Sequence, residues 1–268
     1  MSEYTFDAVK ARDNLVTAIR NLAKEQNFSR VVIGISGGKD STVGAALCAR
    51  ALGPDNVFGI LMPDRQQRED DFQDSLRVCK SLRIPYRTVS ISLMHKNLLS
   101  AVSVGAGGPF SSGLFFDLLD QESKLYYNKT ADINVGPRLR MTVLRYITQS
   151  IGGRLVGTGN LSESTVGYCT KDGDTSCDFS LLGKLTSKEV VEIGLTMEEL
   201  PRDLVLKTPS DGLCGIPDEE KLGVSYEAIH NYIRNPIDVT DPVNQKIARL
   251  EAASRHKRAM PLVLEPFA

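Results

Sequence analysis

The hydrophobic positions along the chain change period several times, and each change marks an element. Between residues 5 and 27, Phe6, Val9, Leu15, Ile19 and Leu22 fall at helix-like spacing, which predicts a leading helix with one apolar face. Val31 to Ile35 is instead a continuous, largely β-branched run of strand length and predicts a buried strand. A helical run follows from Ser41 to Leu52 and stops at Gly53-Pro54. The alternation then repeats. Val57–Met62 predicts a second strand closed by Pro63, and Glu69–Leu82 predicts an amphipathic helix with Phe72, Leu76, Val78 and Cys79 on one side. Ile84-Pro85 ends that helix, and Tyr86–Ile91 alternates as a third strand. Strands interleaved with helices build a parallel α/β sheet through right-handed crossovers.

From Ala101 to Thr130 the periodicity weakens. Gly105–Pro109 and Phe110–Gly113 form a small-residue stretch that reads as a lid or as disorder, followed by a short helix over Leu114–Tyr127. Regularity returns at Asn134-Val-Gly-Pro137, which sets Pro137 at the first position of a helix running to Gly152-Gly153. Arg138 and Arg140 then stand in its first turn, where cations oppose the helix dipole. They point to an anionic ligand or a partner chain, with a surface ion pair as the plain alternative. Arg154–Thr158 predicts a fourth strand, and Thr186–Leu195 a helix opened by the capping box Thr186-Ser-Lys-Glu189. Pro201 and Pro209 bracket an extended piece, and Ser225–Ile233 and Pro242–Arg258 read as two late helices.

Composition narrows the class. With 268 residues, 41% hydrophobic and 24% charged, the chain is a soluble globular protein of one large domain or two small ones. Thirty-two basic against thirty-three acidic residues leave a net charge of -1, so no basic field advertises a nucleic-acid surface. No apolar run approaches the roughly 20 residues needed to span a bilayer. The start lacks the regions of a signal peptide, so the cytoplasm is the expected location and no membrane is expected as partner. The five cysteines are odd in number and form no C-x-x-C pair, which implies neither a zinc site nor a disulfide framework. Cys48 and Cys79 read as buried small hydrophobes. Cys169 and Cys177 stand in a polar loop, where a persulfide-transfer role would want them.

Ligands of open parallel sheets sit beyond the carboxyl ends of the strands. The loop after the first strand, Gly34-Ile35-Ser36-Gly37-Gly38-Lys39-Asp40-Ser41, aims backbone N–H groups and a helix N-terminus at an anion, most often phosphate. It is not a Walker loop: Gly34 is one residue too close to Gly38-Lys39, and Asp40 holds the place of the first hydroxyl. A carboxylate beside phosphate repels it unless a cation bridges them, so Asp40 argues for Mg²⁺. A tight turn with an Asp at a helix start is the plainer reading. Pro63–Arg68 follows the second strand, where Gln66 or Gln67 would reach a nucleotide's base or sugar or simply form a solvated turn. After the fourth strand, Thr158 and Glu163 stand at the same edge; Glu163 is a second carboxylate for the metal or a helix-start Glu. The loop Tyr168–Asp178 has its glycine misplaced for an EF-hand and lacks the closing Glu, so Lys171 and Asp178 read as polar contacts for a large substrate. The basic tail Arg255–Arg258 suits a helix end.

The Ser-Gly-Gly-Lys-Asp-Ser loop resembles the pyrophosphate loop of the N-type ATP pyrophosphatases. The chain as a whole resembles NAD synthetases of the short, ammonia-using kind, from the N-terminal helix to His256-Lys257-Arg258. The resemblance rests on Ile35–Ser41, Asn134–Met141, Val156–Glu163, Thr170–Asp174, Lys207–Ser210 and Leu222–Glu227 in that order. It implies one synthetase domain over residues 1–268, without an N-terminal amidase domain. It also implies an α/β fold with a doubly wound parallel sheet flanked by helices, of the adenine nucleotide alpha hydrolase-like, Rossmann-like kind. By the same resemblance, the backbone from Gly34 to Ser41 holds the ATP phosphates, Thr158 contacts ATP, and Asp40 and Glu163 bind Mg²⁺. Arg138, Lys171, Asp178, His256 and Lys257 match positions that hold the anionic dinucleotide, deamido-NAD. A homodimer with the substrate site across its interface is implied as well.

Two positions depart from the family's pattern. Ser187 stands where a Lys near the ATP phosphates is usual, with Lys188 one position along, and Ser210 replaces a Thr but keeps the hydroxyl. The implied reaction activates the nicotinate carboxylate as an acyl-adenylate with loss of pyrophosphate, after which ammonia attacks and AMP leaves. The glycine loop, Lys39 and Mg²⁺ would stabilise charge on the departing pyrophosphate, and Asp178 would orient or deprotonate ammonium. Two competing readings keep the loop but change the outcome: the same core with another acceptor, and a non-catalytic nucleotide sensor that has no need of both Asp40 and Glu163.

Overall fold

The computed structural model describes residues 4–64, 68–103, 129–208, 218–261 and 263. Five parallel strands form one sheet in the order β3-β2-β1-β4-β5: β1 is Val31–Gly34, β2 Val57–Leu61, β3 Tyr86–Thr88, β4 Arg154–Gly157 and β5 Phe179–Ser180. β1 is central. It pairs Val31 with Val57 on one side and with Arg154 on the other. Because strand side chains alternate, β1 feeds two cores. Val31, Ile33 and Ile35 enter the core beneath the helices α1 (Ala8–Glu25) and α2 (Lys39–Leu52), while Val32 enters a smaller one with Ile60, Leu144 and Leu155. α3 (Glu69–Leu82) contributes Val78 and Cys79 to the first core. The long helix α5 (Lys129–Ser150) covers the opposite face, and α4 (Ser92–Ser103) packs against it. The sheet is therefore doubly wound, as expected. A third apolar cluster joins α6 (Leu161–Val166), α10 (Tyr226–Arg234) and α11 (Pro242–Ala253) through Val166, Ile229 and Ile247.

Three expectations are corrected. Pro137 lies inside α5 rather than at its start. A proline interior to a helix forgoes one backbone hydrogen bond and crowds the carbonyl four residues earlier, yet here about two turns from Lys129 precede it. Arg138 and Arg140 are therefore mid-helix, and the argument from an opposed dipole does not apply to them. The piece after Pro201 is not extended: Arg202–Val205 form one helical turn (α8), because the Pro201 carbonyl accepts from the N–H groups of Leu204 and Val205. Those two side chains are buried. The third strand is shorter than its alternation predicts, ending at Thr88. Beyond it the chain follows the sheet edge through Val89 N–H to the Leu61 carbonyl and Ile91 N–H to the Pro63 carbonyl. The capping box of α7 (Ser187–Leu195) forms as predicted, with Thr186 accepting from Glu189 N–H and Glu189 from Thr186 N–H. A short helix not expected from sequence, α9 (Asp218–Leu222), follows residue 217. Gln66, Gln67, Ser210, Cys214 and the stretch 104–128 lie outside the described residues.

Candidate active site

The glycine loop joins β1 to α2 in a conformation fixed by its hydroxyls. Ser41 Oγ accepts from Ser36 N–H and donates to the Gly38 carbonyl, and Ser36 Oγ accepts from Gly38 N–H. Gly37 has φ +80°, and a Cβ there would meet the Asp71 carbonyl oxygen at 2.5 Å, so only glycine lets the loop lie against α3. At the N-cap of α2 stands Gly38, which offers no side-chain cap. The first-turn N–H groups of α2 thus keep no side chain of their own as partner, the arrangement that receives anions.

These residues floor a cavity of about 380 Å³ at the carboxyl edge of the strands. Ser36, Gly38, Asp40, Ser41, Thr158 and Glu163 line it, with Arg140 of α5 and Lys207 on other sides. Asp40 and Glu163 come from neighbouring strand ends and are held by one residue between them. Asn160, fully buried, caps α6: its Oδ1 accepts from Glu163 N–H at 3.0 Å, and its own N–H donates to Glu163 Oε2 at 3.1 Å. Its Nδ2 donates to Asp40 Oδ1 at 3.0 Å. Glu163 is thus a capping residue and a wall of the cavity at once. Desolvation, then the proximity of Asp40, raises the Glu163 carboxyl well above the ordinary carboxylate range. Two crowded hard-oxygen donors at the edge of a phosphate-binding loop are a donor set that fits Mg²⁺, with phosphate oxygens and water able to complete the shell. Among the described residues no third His, Cys, Asp or Glu joins them.

Lys39 is 4% exposed, and its ammonium donates to Asp40 Oδ2 at 2.8 Å while lying 5.5 Å from the centre of the Tyr226 ring. Burial alone would lower its pKa, but Asp40, Glu163 and Asp218 outweigh burial and the net shift is upward. Asp218, which also lines the cavity, accepts from the hydroxyls of Tyr168 and Tyr226. Across the cavity, Lys207 is clasped by Asp71 at 2.7 Å and Asp74 at 2.6 Å on α3.

The other residues singled out from sequence are placed variously. Asp178 has both oxygens engaged, one by Leu155 N–H at 2.7 Å and the other by Arg145, and it does not line the cavity. Asp174 and Ser176, four and two residues earlier, do. Asp174 accepts from Thr170 N–H at 2.7 Å, and desolvation raises its carboxyl. Arg138 Nε donates to the Lys171 carbonyl at 3.3 Å. Lys257 donates to the carbonyls of Gly167 and Cys169, both at 2.7 Å, and His256 sits exposed beside it. Ser187 is buried with its N–H on Ser162 Oγ, and Lys188 turns outward to Glu227. Cys48 and Cys79 are buried, with burial pushing both thiols up to about 12. Cys169 is half-buried and pushed up to about 11, which disfavours a thiolate nucleophile.

Comparison with known proteins places the chain in a family. A family model described as NAD synthase matches residues 11–261. An NH(3)-dependent NAD(+) synthetase of Archaeoglobus fulgidus is 32% identical over 95% of this chain and 96% of its own. That of Syntrophomonas wolfei is 36% identical over 91% of each. Among solved structures, an NMN synthetase from Francisella tularensis superposes with a TM-score of 0.82 at 26% identity, covering 97% of this chain and 99% of that one. The NH3-dependent NAD synthetase of Campylobacter jejuni shares the fold with a TM-score of 0.70, at 24% identity over 97% of this chain and 100% of its own.

Proposed function

The chain belongs to the NAD synthase family, and from that premise we propose how its residues carry the family's reaction. The protein is an ammonia-dependent NAD synthetase, a ligase that forms a C–N bond by amidating deamido-NAD with ammonia at the expense of ATP, releasing AMP and pyrophosphate. The observation that carries the assignment of the site is the Asn160 bridge, which sets two carboxylates above an uncapped helix N-terminus.

In this reading the α2 N-terminus and the loop from Gly34 to Ser41 bind the β- and γ-phosphates, and Thr158 contacts the nucleotide. Asp40 and Glu163 would hold Mg²⁺, which when bound would supply positive charge toward the pyrophosphate oxygens. The carboxylate to be amidated then meets the α-phosphate in a cavity that already holds phosphate-binding groups, so positioning and electrostatics supply most of the acceleration. Asp174 takes the ammonium-orienting role expected of Asp178, because Asp174 is open to the cavity while Asp178 is committed to β4 and Arg145. Arg138, Lys171 and Lys257 shape the segment that would cradle the acceptor. A homodimer suits the exposed apolar side chains Leu93 and Tyr146, on the packed pair α4 and α5; a fully active monomer in sedimentation would overturn that part.

A second reading concerns the acceptor. The superposition with an NMN synthetase at TM-score 0.82 favours testing the mononucleotide, nicotinate mononucleotide, beside the dinucleotide. One experiment separates them: purified protein with ATP, Mg²⁺, ammonium and either acceptor, measuring amide product and AMP together. Equal NAD and AMP at the higher kcat/KM supports the primary reading. Equal NMN and AMP at the higher kcat/KM moves the assignment to the mononucleotide, and neither product returns the fold to a nucleotide sensor.

A further inference from the structure

Lys39 occupies an unusual place for a phosphate-loop lysine. Its ammonium is buried in the wall of the cavity against Asp40 Oδ2 at 2.8 Å, faced by Glu163 and Asp218 and by the Tyr226 ring at 5.5 Å. Asp40 therefore has one oxygen held by Asn160 and the other by Lys39. A lysine ammonium is a compact point charge with three donors on a flexible stem. Two carboxylates crowded in a desolvated wall need a cation nearby, and a buried charge persists only when paired. The ammonium supplies that charge from within the chain.

A divalent ion on Asp40 and Glu163 would sit within a few ångströms of the ammonium, where like charges repel strongly in a low-dielectric wall. We infer that Lys39 is the resident counter-cation of the Asp40–Glu163 pair and makes metal binding wait for the nucleotide. Without phosphates the ammonium holds Asp40. With phosphates on the loop, the ammonium has a second anion to turn to, and Asp40 is released to the metal. This inference rests on the reading of Asp40 and Glu163 as metal ligands.

The test is Mn²⁺ binding by electron paramagnetic resonance, on full-length protein alone and with a non-cleavable ATP analogue, for wild type, Lys39→Met, Lys39→Gln and Glu163→Gln. Removing the ammonium is expected to tighten Mn²⁺ binding about tenfold in the absence of nucleotide and to shrink the gain that nucleotide brings. The same two variants melt at lower temperature in EDTA and recover in Mg²⁺, whereas wild type responds little to either. A Lys39→Met protein that folds only with Mg²⁺ supports the inference as well. Unchanged or weaker Mn²⁺ binding in both Lys39 variants, with Glu163→Gln still impaired beside nucleotide, overturns the Lys39 inference and leaves the metal site standing. Glu163→Gln binding Mn²⁺ like wild type beside nucleotide overturns both.

Discussion

Asn160 Nδ2 donates to Asp40 Oδ1 at 3.0 Å, joining residues 120 positions apart at the tips of two neighbouring strands. The same residue caps α6 and accepts from Glu163 N–H. One amide thus sets the helix start and the spacing of both carboxylates. Asn160→Ala is expected to lower stability by about 1–2 kcal/mol through the lost cap, and to lower kcat/KM by about a hundredfold through the misplaced pair. Asn160→Asp keeps a cap but replaces the donor with a third carboxylate, buried within 3.0 Å of Asp40. It should melt below the wild-type temperature in EDTA and recover in part with Mg²⁺, since added negative charge favours the cation, and thermal melts with and without Mg²⁺ check this.

Gly37→Ala tests the approach of the phosphate loop to α3. A Cβ at φ +80°, 2.5 Å from the Asp71 carbonyl oxygen, forces the loop away from the helix. The substitution is expected to cost about 2 kcal/mol or more and to raise KM for ATP, read by denaturant unfolding and steady-state kinetics.

Asp178→Asn removes charge from a carboxylate that holds Leu155 N–H and Arg145. The expected loss is about 2 kcal/mol of stability, with KM for ammonium unchanged, whereas Asp174→Asn raises that KM. A raised ammonium KM in Asp178→Asn alone would return the role to Asp178.

Glu189 predicts the acid limb of stability. It is fully buried, accepting from Arg234 at two oxygens and from the Tyr4 hydroxyl at 2.6 Å. Burial would raise its carboxyl, but the bonds from Arg234, Tyr4 and Thr186 N–H outweigh it and hold it below the ordinary value of 4.5. A depressed acid stabilises the fold above the unfolded-state pKa and loses that contribution as pH falls through the folded-state pKa. Wild type should therefore lose stability below about pH 4.5 more steeply than Glu189→Gln, whose Gln still completes the capping box. Arg234→Met, which strands the buried carboxylate, is expected to cost about 3 kcal/mol at neutral pH.

Local signals carried most of the architecture. The strand–loop–helix at Val31–Leu52 and the helix at Glu69–Leu82 were legible because a period and a glycine or proline stop are written within a few residues. Pro137 misled because its preference for helix starts says nothing of the turns upstream that also became helical. Of the cavity, the loop, Thr158 and Glu163 could be read from their place after strands. Asn160 could have been, since an Asn three residues before a Glu is the spacing of a capping box. Arg140 could be read as an arginine for an anionic ligand, though from a helix start it does not occupy; Asp174 and Asp218 could not be placed, because each comes from a separate element and only tertiary packing brings them to the cavity. Lys257 looked available for a ligand because no sequence rule shows that two backbone carbonyls had already claimed it.

The pairing of β1 with β4 spans only Val31 with Arg154 and Val32 with Leu155. That short ladder is the ruler that measures Asp40 against Glu163, and a slip of one residue would shift the ruler by about 3.3 Å and turn every side chain of β4 to the wrong face. Asp40 stands after the first strand and Glu163 after the fourth, so the proposed metal pair has no second member until β4 has docked beside β1. On that reading the site is completed only by the second half of the chain.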